Sequence, residues 1–529
     1  MNEQLLLGAE AIAIGAIDAG ISGVYAYPGT PSTEITEYIQ KSKEAQARHI
    51  RSKWSANEKT AYETALGMSY AGKRTMVCMK HVGLNVAADA FINSAITGIN
   101  GGMVVVVADD PSMHSSQNEQ DTRVYGKFAF LPILEPSNQQ ETYEAVRYAF
   151  DLSETVKLPV LLRITTRLSH SRAVVQRNII KEQNVLAPDT EKRKWILLPA
   201  IARARYAKLL DAQSQLVTLS ENSLFNRLIP GTGTSAVIAF GIAYNYVMEV
   251  KQNHQLDIPV LKISQYPLPE RQIKSFLAQY DEILIAEEGY PVYEELLRGY
   301  LDNKKLRGRL DGTLPRMGEL SPDVLAKALG IQTAQPKAIP GVVVSRPPEL
   351  CKGCSHRDLY EALNMAMSGY AHQHVMGDIG CYTLGALKPY ETINTCVDMG
   401  ASITMAKGVA DAGLHPAVAV IGDSTFTHSG MTGLLDCVND QSSVTIIISD
   451  NGTTAMTGGQ DSAGNSHLFD ICKGLGVDKN HIRILVPLKS NQEINVRILK
   501  EEIEYPGVSV ILACRECVQV AARNKKAGK

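Results

Sequence analysis

At 529 residues the chain is too long for a single hydrophobic core and implies about three domains of ~150 residues. A composition 45% hydrophobic and 20% charged, with formal net charge −2, is that of a soluble globular enzyme and excludes the basic footprint of a nucleic-acid binder. No stretch approaches ~18 uninterrupted apolar residues, and the N-terminus opens Asn2-Glu3-Gln4 instead of with a basic then apolar signal, so a cytoplasmic chain with no membrane association is expected. The nine cysteines are an odd number and argue for reduced, metal-ligating or catalytic thiols over a disulfide framework.

In chain order, residues 1–180 alternate helical stretches with short β-branched runs at Gly23–Tyr27, Thr75–Met79, Met103–Ala108 and Val160–Ile164. This is the pattern of a parallel sheet covered on both faces. Residues 181–230 turn polar, with Lys192-Arg193-Lys194-Trp195 and Ala202-Arg203-Ala204-Arg205, and read as a helical connector. A smaller α/β domain is expected over 231–335, with strands at Ser235–Ala239, Val260–Ile263 and Glu282–Ala286. Pro336, Pro340, Pro347 and Pro348 mark 336–350 as an extended linker. Residues 351–520 form a last α/β domain, and 521–529, with Arg523-Asn524-Lys525-Lys526, read as a solvated basic tail.

The most informative run is Val420-Ile421-Gly422-Asp423-Ser424, answered by Ser449-Asp450-Asn451-Gly452-Thr453. It reads as a buried strand ending in Asp, a helical connection, and a second buried strand ending in Asn. A crossover connection brings two parallel strand ends together, and ligands collect at the carboxyl ends of such strands. Mg2+ demands near-octahedral oxygen and shares its shell with substrate phosphates, so Asp423, the Asn451 amide and a carbonyl near Thr453 would leave room for a diphosphate. The spacing resembles the Gly-Asp-Gly…Asn signature of thiamine diphosphate enzymes, with Ser424 in place of the usual third Gly. The bland alternative is an ordinary strand-to-helix turn. Upstream, Met399-Gly400 opens a helix just before the Pro416–Ile421 strand, where this cofactor class places an apolar residue that props thiamine in its bent form; a core Met is the commoner use. Gly377, Asp378 and Gly380 lie in a turn whose backbone N–H groups could approach phosphate oxygens.

Thiamine must also lose a proton from C2, and a carboxylic acid touching the pyrimidine ring makes its amino group basic enough to take it. Glu58, in the first turn of the helical run beginning near Asn57, has the expected placement at a helix start after a strand. Its alternative role is to complement the helix dipole. Taken together, the chain is expected to contain two thiamine diphosphate-binding-type parallel-sheet domains, one for the pyrimidine and one for the diphosphate, with a transketolase-C-terminal-like α/β domain between them.

Longer strings carry a family resemblance. Tyr27-Pro28-Gly29-Thr30-Pro31-Ser32-Thr33, Met79-Lys80-His81-Val82-Gly83-Leu84-Asn85, Ala108-Asp109-Asp110-Pro111, His114-Ser115-Ser116-Gln117-Asn118-Glu119-Gln120-Asp121, Arg346-Pro347-Pro348-Glu349-Leu350-Cys351-Lys352-Gly353-Cys354 and Gly377-Asp378-Ile379-Gly380-Cys381-Tyr382 resemble the α subunit of indolepyruvate ferredoxin oxidoreductase. The likeness extends over nearly the whole chain. It implies oxidative decarboxylation of an aryl 2-oxoacid on thiamine diphosphate and Mg2+, as in anaerobic amino-acid catabolism, with electrons leaving through iron–sulfur clusters to ferredoxin and the acyl group passing to coenzyme A. It also implies a small β subunit in an assembly with two copies of each chain, and a homodimer of this chain whose cofactor sites each draw on both protomers. The ferredoxin-like module with its closely spaced cysteine runs, usual in family α subunits, has no counterpart before Lys529.

The remaining cysteines bear on the electron path. Related pyruvate:ferredoxin oxidoreductases use a C-x-x-C pair, a cysteine beside the cofactor loop and a late cysteine after a strand, which implies one [4Fe-4S] cluster on Cys351, Cys354, Cys381 and Cys517, with Cys514 as the rival fourth ligand. A structural zinc between the Cys351/Cys354 and Cys514/Cys517 pairs and free thiols are the alternatives. Cys78, Cys396, Cys437 and Cys472 read as core residues. For the substrate, Thr30 resembles the family position that contacts the carboxylate, His81 and Asn85 could protonate or orient the intermediate, and Arg123 is a further carboxylate candidate. Each has an ordinary structural alternative. Two other functions remain open at this level: a non-oxidative thiamine diphosphate-dependent 2-oxoacid decarboxylase, and a non-catalytic subunit that only binds its partner chain.

Overall fold

The computed structural model describes residues 3–187, 189, 195, 197, 199–299, 306–315, 318–332, 338–344, 349–371, 373, 375–395, 399–411 and 415–526. The Lys192-Arg193-Lys194 cluster, Cys396 and three of the four linker prolines, Pro336, Pro347 and Pro348, lie outside these residues. The chain forms two compact units, Met1–Lys337 and Ala338–Lys529.

The first unit carries strands β1 Glu3–Leu7, β2 Gly23–Ala26, β3 Arg51–Trp54, β4 Thr75–Lys80, β5 Met103–Asp109, β6 Ile133–Leu134, β7 Val160–Thr165 and β8 Arg172–Gln176. It continues with β9 Arg227–Ile229, β10 Ser235–Phe240, β11 Val260–Ile263, β12 Gln265–Tyr266, β13 Glu282–Ala286 and β14 Leu306–Arg307. Seven of these form one sheet in the order β12-β6-β7-β5-β4-β2-β3, and five a second in the order β14-β13-β10-β11-β9. The centre of the first sheet is parallel, with β4, β5 and β7 buried along their whole lengths. That burial on both faces is why β5 reads as a continuous valine run with no alternation. Two contacts cross the boundaries expected from sequence. Strand β9 falls inside the expected connector yet pairs antiparallel with β11, and β12, which follows β11 in the chain, pairs antiparallel with β6 in the first sheet. Among its other described residues the connector holds the helix Pro199–Glu221.

The second unit holds β15 Val375–Gly377, β16 Val418–Gly422, β17 Val444–Asp450, β18 Thr453–Thr454, β19 Gln460–Asp461, β20 Ile482–Leu485 and β21 Val508–Cys514. Its five-stranded sheet, β15-β16-β17-β21-β20, is parallel throughout. Described residues of the segment expected to be a solvated basic tail lie in the helix Val518–Lys526, and the Arg523 guanidinium donates to the Gly458 carbonyl. No helix among the described residues is long and apolar enough to cross a membrane.

At the carboxyl edge of the first sheet lies a buried ion cluster. Arg163 on β7 pairs with Asp109 at 2.6 Å, with Asp121 at 3.3 Å and with Glu135. Arg123 pairs with Asp121 at 2.5 Å and Glu287 at 2.9 Å, and its side chain is fully buried. Arg123 is therefore committed to this cluster, and its guanidinium is engaged by protein carboxylates on both sides. Burial by itself would lower the pKa of each arginine, but Asp121, Glu135 and their neighbours outweigh it and both pKa values are raised. Removing one member of a buried pair leaves an uncompensated charge, so Arg163→Leu is expected to destabilise the first unit by roughly 3–5 kcal/mol. Urea unfolding of the full chain, followed through its first transition, measures this; a loss within experimental error would show the cluster to be energetically dispensable.

Candidate active site

In the first unit, the hydrogen-bonded order β5-β4-β2-β3 aligns the carboxyl ends from which the expected residues project. The loop after β2 carries Thr30, held by a turn in which the Gly29 amide donates to the Thr33 hydroxyl at 2.9 Å and the Ser32 hydroxyl to the Gly29 carbonyl at 2.7 Å. Glu58 opens the helix Glu58–Tyr70, whose cap is Asn57: its side chain accepts from the Thr60 amide at 2.8 Å. Ala61, Tyr62, Ala65 and Ser69 bury one face of this helix, and its first residue turns inward with them, since Glu58 is only 6% exposed. The Glu58 carboxyl packs against Gly83 in the first turn of the next helix, His81–Thr97; a methyl group there would stand 2.5 Å from Oε1. A glycine at 83 thus gives the carboxylate its place.

His81 is fully buried, with Nε2 3.2 Å from the Asn118 carbonyl oxygen and Nδ1 without a hydrogen-bond partner among the described residues. Asn85, one turn on, accepts from the Tyr125 hydroxyl at 2.6 Å. Sequence reasoning passed over Lys80, the last residue of β4. It is 9% exposed, its ammonium donates to the Ser115 carbonyl at 2.7 Å, and burial pushes its pKa down to about 8 against the opposing pull of Asp110 and Glu58. A charged residue closing an otherwise apolar strand was the available signal. Two cavities of this unit lie elsewhere. One of about 990 Å3 is walled by Phe130, Leu131, Tyr266 and Leu297, and another of about 780 Å3 by Met113, Asn118 and Tyr290; neither is lined by Glu58, Thr30 or Lys80.

In the second unit, β16 and β17 are parallel neighbours with Gly422 opposite Ser449, so Asp423 and Asn451 emerge beside one another just past the strand ends. Asp423 is 2% exposed and its Oδ2 has no hydrogen-bond partner among the described residues. Burial pushes its carboxyl up to about 7; the Ser462 hydroxyl partly opposes the rise and the Asp450 carboxylate adds to it. Ser424 accepts from the Thr454 hydroxyl at 3.0 Å, and the Asn451 Oδ1 from the Thr453 amide at 3.1 Å. A carboxylate buried beside a second acidic group is stabilised by a divalent cation, and this oxygen donor set fits Mg2+. Asp378, at the end of β15, accepts from the amides of Gly400 at 2.9 and 3.0 Å and of Ser402 at 3.0 Å. It thereby pins the Met399-Gly400 turn that starts the helix Ala401–Asp411. Gly400 has φ +102° and a side chain there would meet Ser429 Cβ at 2.7 Å, so only glycine serves. The Gly377 and Gly380 amides are engaged within the loop, by the Thr395 and Thr383 hydroxyls at 3.0 and 3.1 Å.

The thiols sort into two groups. Cys381 is pushed up to about 12 by burial and by the proximity of Cys354, Cys517 and Cys351, in that order. Cys514 stands beside Asp450, its Sγ 3.6 Å from Asp450 Oδ2. Cys351, Cys354, Cys381 and Cys517 are thus neighbours whose donor chemistry suits an iron–sulfur cluster, although among the described residues no three His, Cys, Asp or Glu side chains are drawn to metal-ligating distances. Cys78, Cys437 and Cys472 are buried.

Residues 14–203 match the family described as pyruvate flavodoxin/ferredoxin oxidoreductase, thiamine diphosphate-binding, and residues 378–483 match the C-terminal thiamine pyrophosphate-binding domain of thiamine pyrophosphate enzymes. The two α/β regions built above therefore define a thiamine diphosphate-dependent enzyme subunit. Over 99% of its length the chain is 38% identical to the indolepyruvate oxidoreductase subunit IorA of Archaeoglobus fulgidus, covering 88% of that protein. The IorA subunits of Methanothermobacter thermautotrophicus, with 98% of this chain and 87% of that one aligned, and of Pyrococcus abyssi, with 97% and 85%, are also 38% identical to it. The chain belongs to this family of indolepyruvate oxidoreductase subunits. The 2-oxoglutarate:ferredoxin oxidoreductase from Magnetococcus marinus, solved with 2-oxoglutarate, coenzyme A and succinyl-CoA bound, shares the fold at a TM-score of 0.51 and 14% identity, over 62% of this chain and 65% of that one.

The packing of Glu58 on Gly83 yields a test. The added methyl would meet the buried Glu58 side chain at 2.5–2.9 Å, so Gly83→Ala is expected to cost ~1–3 kcal/mol of stability, while displacing the Glu58 carboxylate and lowering cofactor-dependent turnover by roughly tenfold or more. Full turnover in the variant would show that the carboxylate's position is immaterial.

Proposed function

We propose that this chain is the thiamine diphosphate-binding subunit of an oxidoreductase that decarboxylates aryl 2-oxoacids, of the indolepyruvate or phenylpyruvate type, transfers the acyl group to coenzyme A and delivers the electrons to ferredoxin. The observation that carries this reading is the 38% identity to indolepyruvate oxidoreductase subunits over 99% of the chain. Thiamine diphosphate supplies, when bound, a carbon that stabilises the electron pair left by departing CO2. Asp423, Asn451 and a Thr453 carbonyl would hold its Mg2+, with Gly422, Ser424 and the Gly377–Gly380 loop around the diphosphate and Met399 supporting the thiamine. Glu58 would hold or move a proton beside the pyrimidine, and Thr30 and His81 would lie on the substrate side. Cys351, Cys354, Cys381 and Cys517 carry one [4Fe-4S] cluster, the grouping of these thiols being the support for that assignment. A smaller β subunit completes the assembly, in which this chain is present twice, in the cytoplasm.

A non-oxidative decarboxylase built on the same cofactor would need no cluster, and iron and sulfide analysis after anaerobic purification with the partner subunit separates the two. Two variants sharpen the assignment. Cys517→Ser is expected to lose most of the bound iron, whereas Cys514→Ser, altering the thiol beside Asp450, keeps it; the reverse pattern would exchange their roles, and an iron-free wild type would favour the non-oxidative enzyme. Asp423→Ala removes a charged metal ligand and is expected to weaken Mg2+-dependent thiamine diphosphate binding by ~100-fold, given that even outer-sphere support of a metal is worth 10–100-fold. Calorimetric titration of cofactor with and without Mg2+ measures it, and unchanged affinity would remove Asp423 from the metal site.

A further inference from the structure

Lys80 is a buried cation whose ammonium makes one hydrogen bond among the described residues. Its stem runs beneath the turn after β2: a methyl group added at Gly29 would stand 3.5 Å from Lys80 Cβ and 3.8 Å from Cδ. An ammonium has three N–H donors, and the Ser115 carbonyl takes one at 2.7 Å. Of the two nearby carboxylates, Asp110 already accepts from other donors: the Ser115 amide at 2.8 Å, the Ser116 hydroxyl at 2.6 Å and the Thr166 hydroxyl at 2.6 Å. Glu58 acts on Lys80 through space and packs on Gly83. The Ser115 hydroxyl reaches the Thr30 carbonyl at 3.4 Å, so Thr30, Ser115 and Lys80 form one patch, and the charge of Glu58 acts on its Lys80. Burying an ammonium without filling its donors is costly, and an anion brought to it recovers that cost.

We infer that the Lys80 ammonium receives the carboxylate of the 2-oxoacid, next to Thr30 and across from Glu58. The inference rests on the proposed 2-oxoacid oxidoreductase function and names the charge that selects its substrates. Its lowered pKa suits this role, because a partly desolvated ammonium gains most from a carboxylate partner and remains mainly protonated near neutrality. Arg163 and Arg123, which would otherwise be the carboxylate receptors at this edge of the sheet, are already engaged by Asp109, Asp121, Glu135 and Glu287.

The test uses the complex with its partner subunit, wild type and with Lys80→Met or Lys80→Arg. Phenylpyruvate and its uncharged methyl ester are titrated calorimetrically into protein lacking thiamine diphosphate, and turnover of phenylpyruvate is measured separately in loaded enzyme. Wild type is expected to prefer the acid to the ester. Lys80→Met should erase that preference and raise KM for the acid ~30-fold or more, as befits loss of a charged hydrogen bond, while leaving ester affinity within about twofold; Lys80→Arg, which keeps the charge, should retain a measurable part of the preference. Acid preference and KM unaltered in Lys80→Met would overturn the inference. So would a fall in kcat at unchanged KM, since that would make Lys80 a support for Glu58 alone. A wild-type complex that turns over no aryl 2-oxoacid would refute the proposed function, an outcome separate from the binding comparison.

Discussion

Two guanidinium groups sealed inside the first unit set the frame on which its site depends. Arg163 and Arg123 draw in carboxylates from four places in the chain: the end of β5, the loop at Asp121, the stretch after β6 and the stretch after β13. Each buried ion costs several kcal/mol of hydration, which only close and multiply hydrogen-bonded geometry offsets. Arginine suits that geometry because its planar fork binds carboxylates on two sides at once. The Tyr266 hydroxyl donates to Glu135 at 2.6 Å and the Tyr290 amide to Asp121 at 3.1 Å, so aromatic and backbone groups complete the cluster. With Asp109 and Arg163 locked, the neighbouring end of β4, and with it Lys80 and His81, is held against a rigid wall.

The second unit handles charge differently. Asp423 is as deeply buried as the members of the arginine cluster, yet it faces Asp450 and a serine hydroxyl in place of a guanidinium. Nearby acidic groups that remain under this tension are a common mark of a site arranged for a cation. Asp378 shows the contrasting use of the same side chain. Its carboxylate is spread over the amides of Ile379, Gly400 and Ser402 and serves to shape a turn.

The parallel sheets were legible because strands buried on both faces must be apolar and β-branched throughout, as at Thr75–Lys80, Met103–Asp109 and Val444–Asp450. The Asp423 and Asn451 strand ends were legible for a related reason, since a polar residue stopping an apolar run marks the carboxyl edge of a sheet. What sequence hid was decided by distant partners. Arg123 reads as an available cation until Asp121 and Glu287 are seen to enclose it, and two-residue strands such as β6 and β12 carry no periodicity. Cys514 and Cys517 look equivalent in a C-x-x-C pair, and only the fold separates one toward Asp450 and the other toward Cys381. Lys80 was overlooked because a lysine at a strand end ordinarily turns to solvent.

The placement of β12, from the chain after β11, on the edge of the first sheet has a consequence for how the protein is made. Strand β6 cannot acquire its outer neighbour until a long stretch of chain beyond it, including the helix Pro199–Glu221 and strands β9 to β11, has been synthesised. Closing so large a loop is entropically slow, and contacts of this kind delay the completion of folding. On the ribosome, the nascent first sheet would pass through a stage with one edge bare, of the sort chaperones shield. In the finished unit the chain steps directly from β11 in one sheet to β12 on the edge of the other, and a gene cut near residue 230 would deliver a fragment with an unpaired strand edge in place of a separable domain.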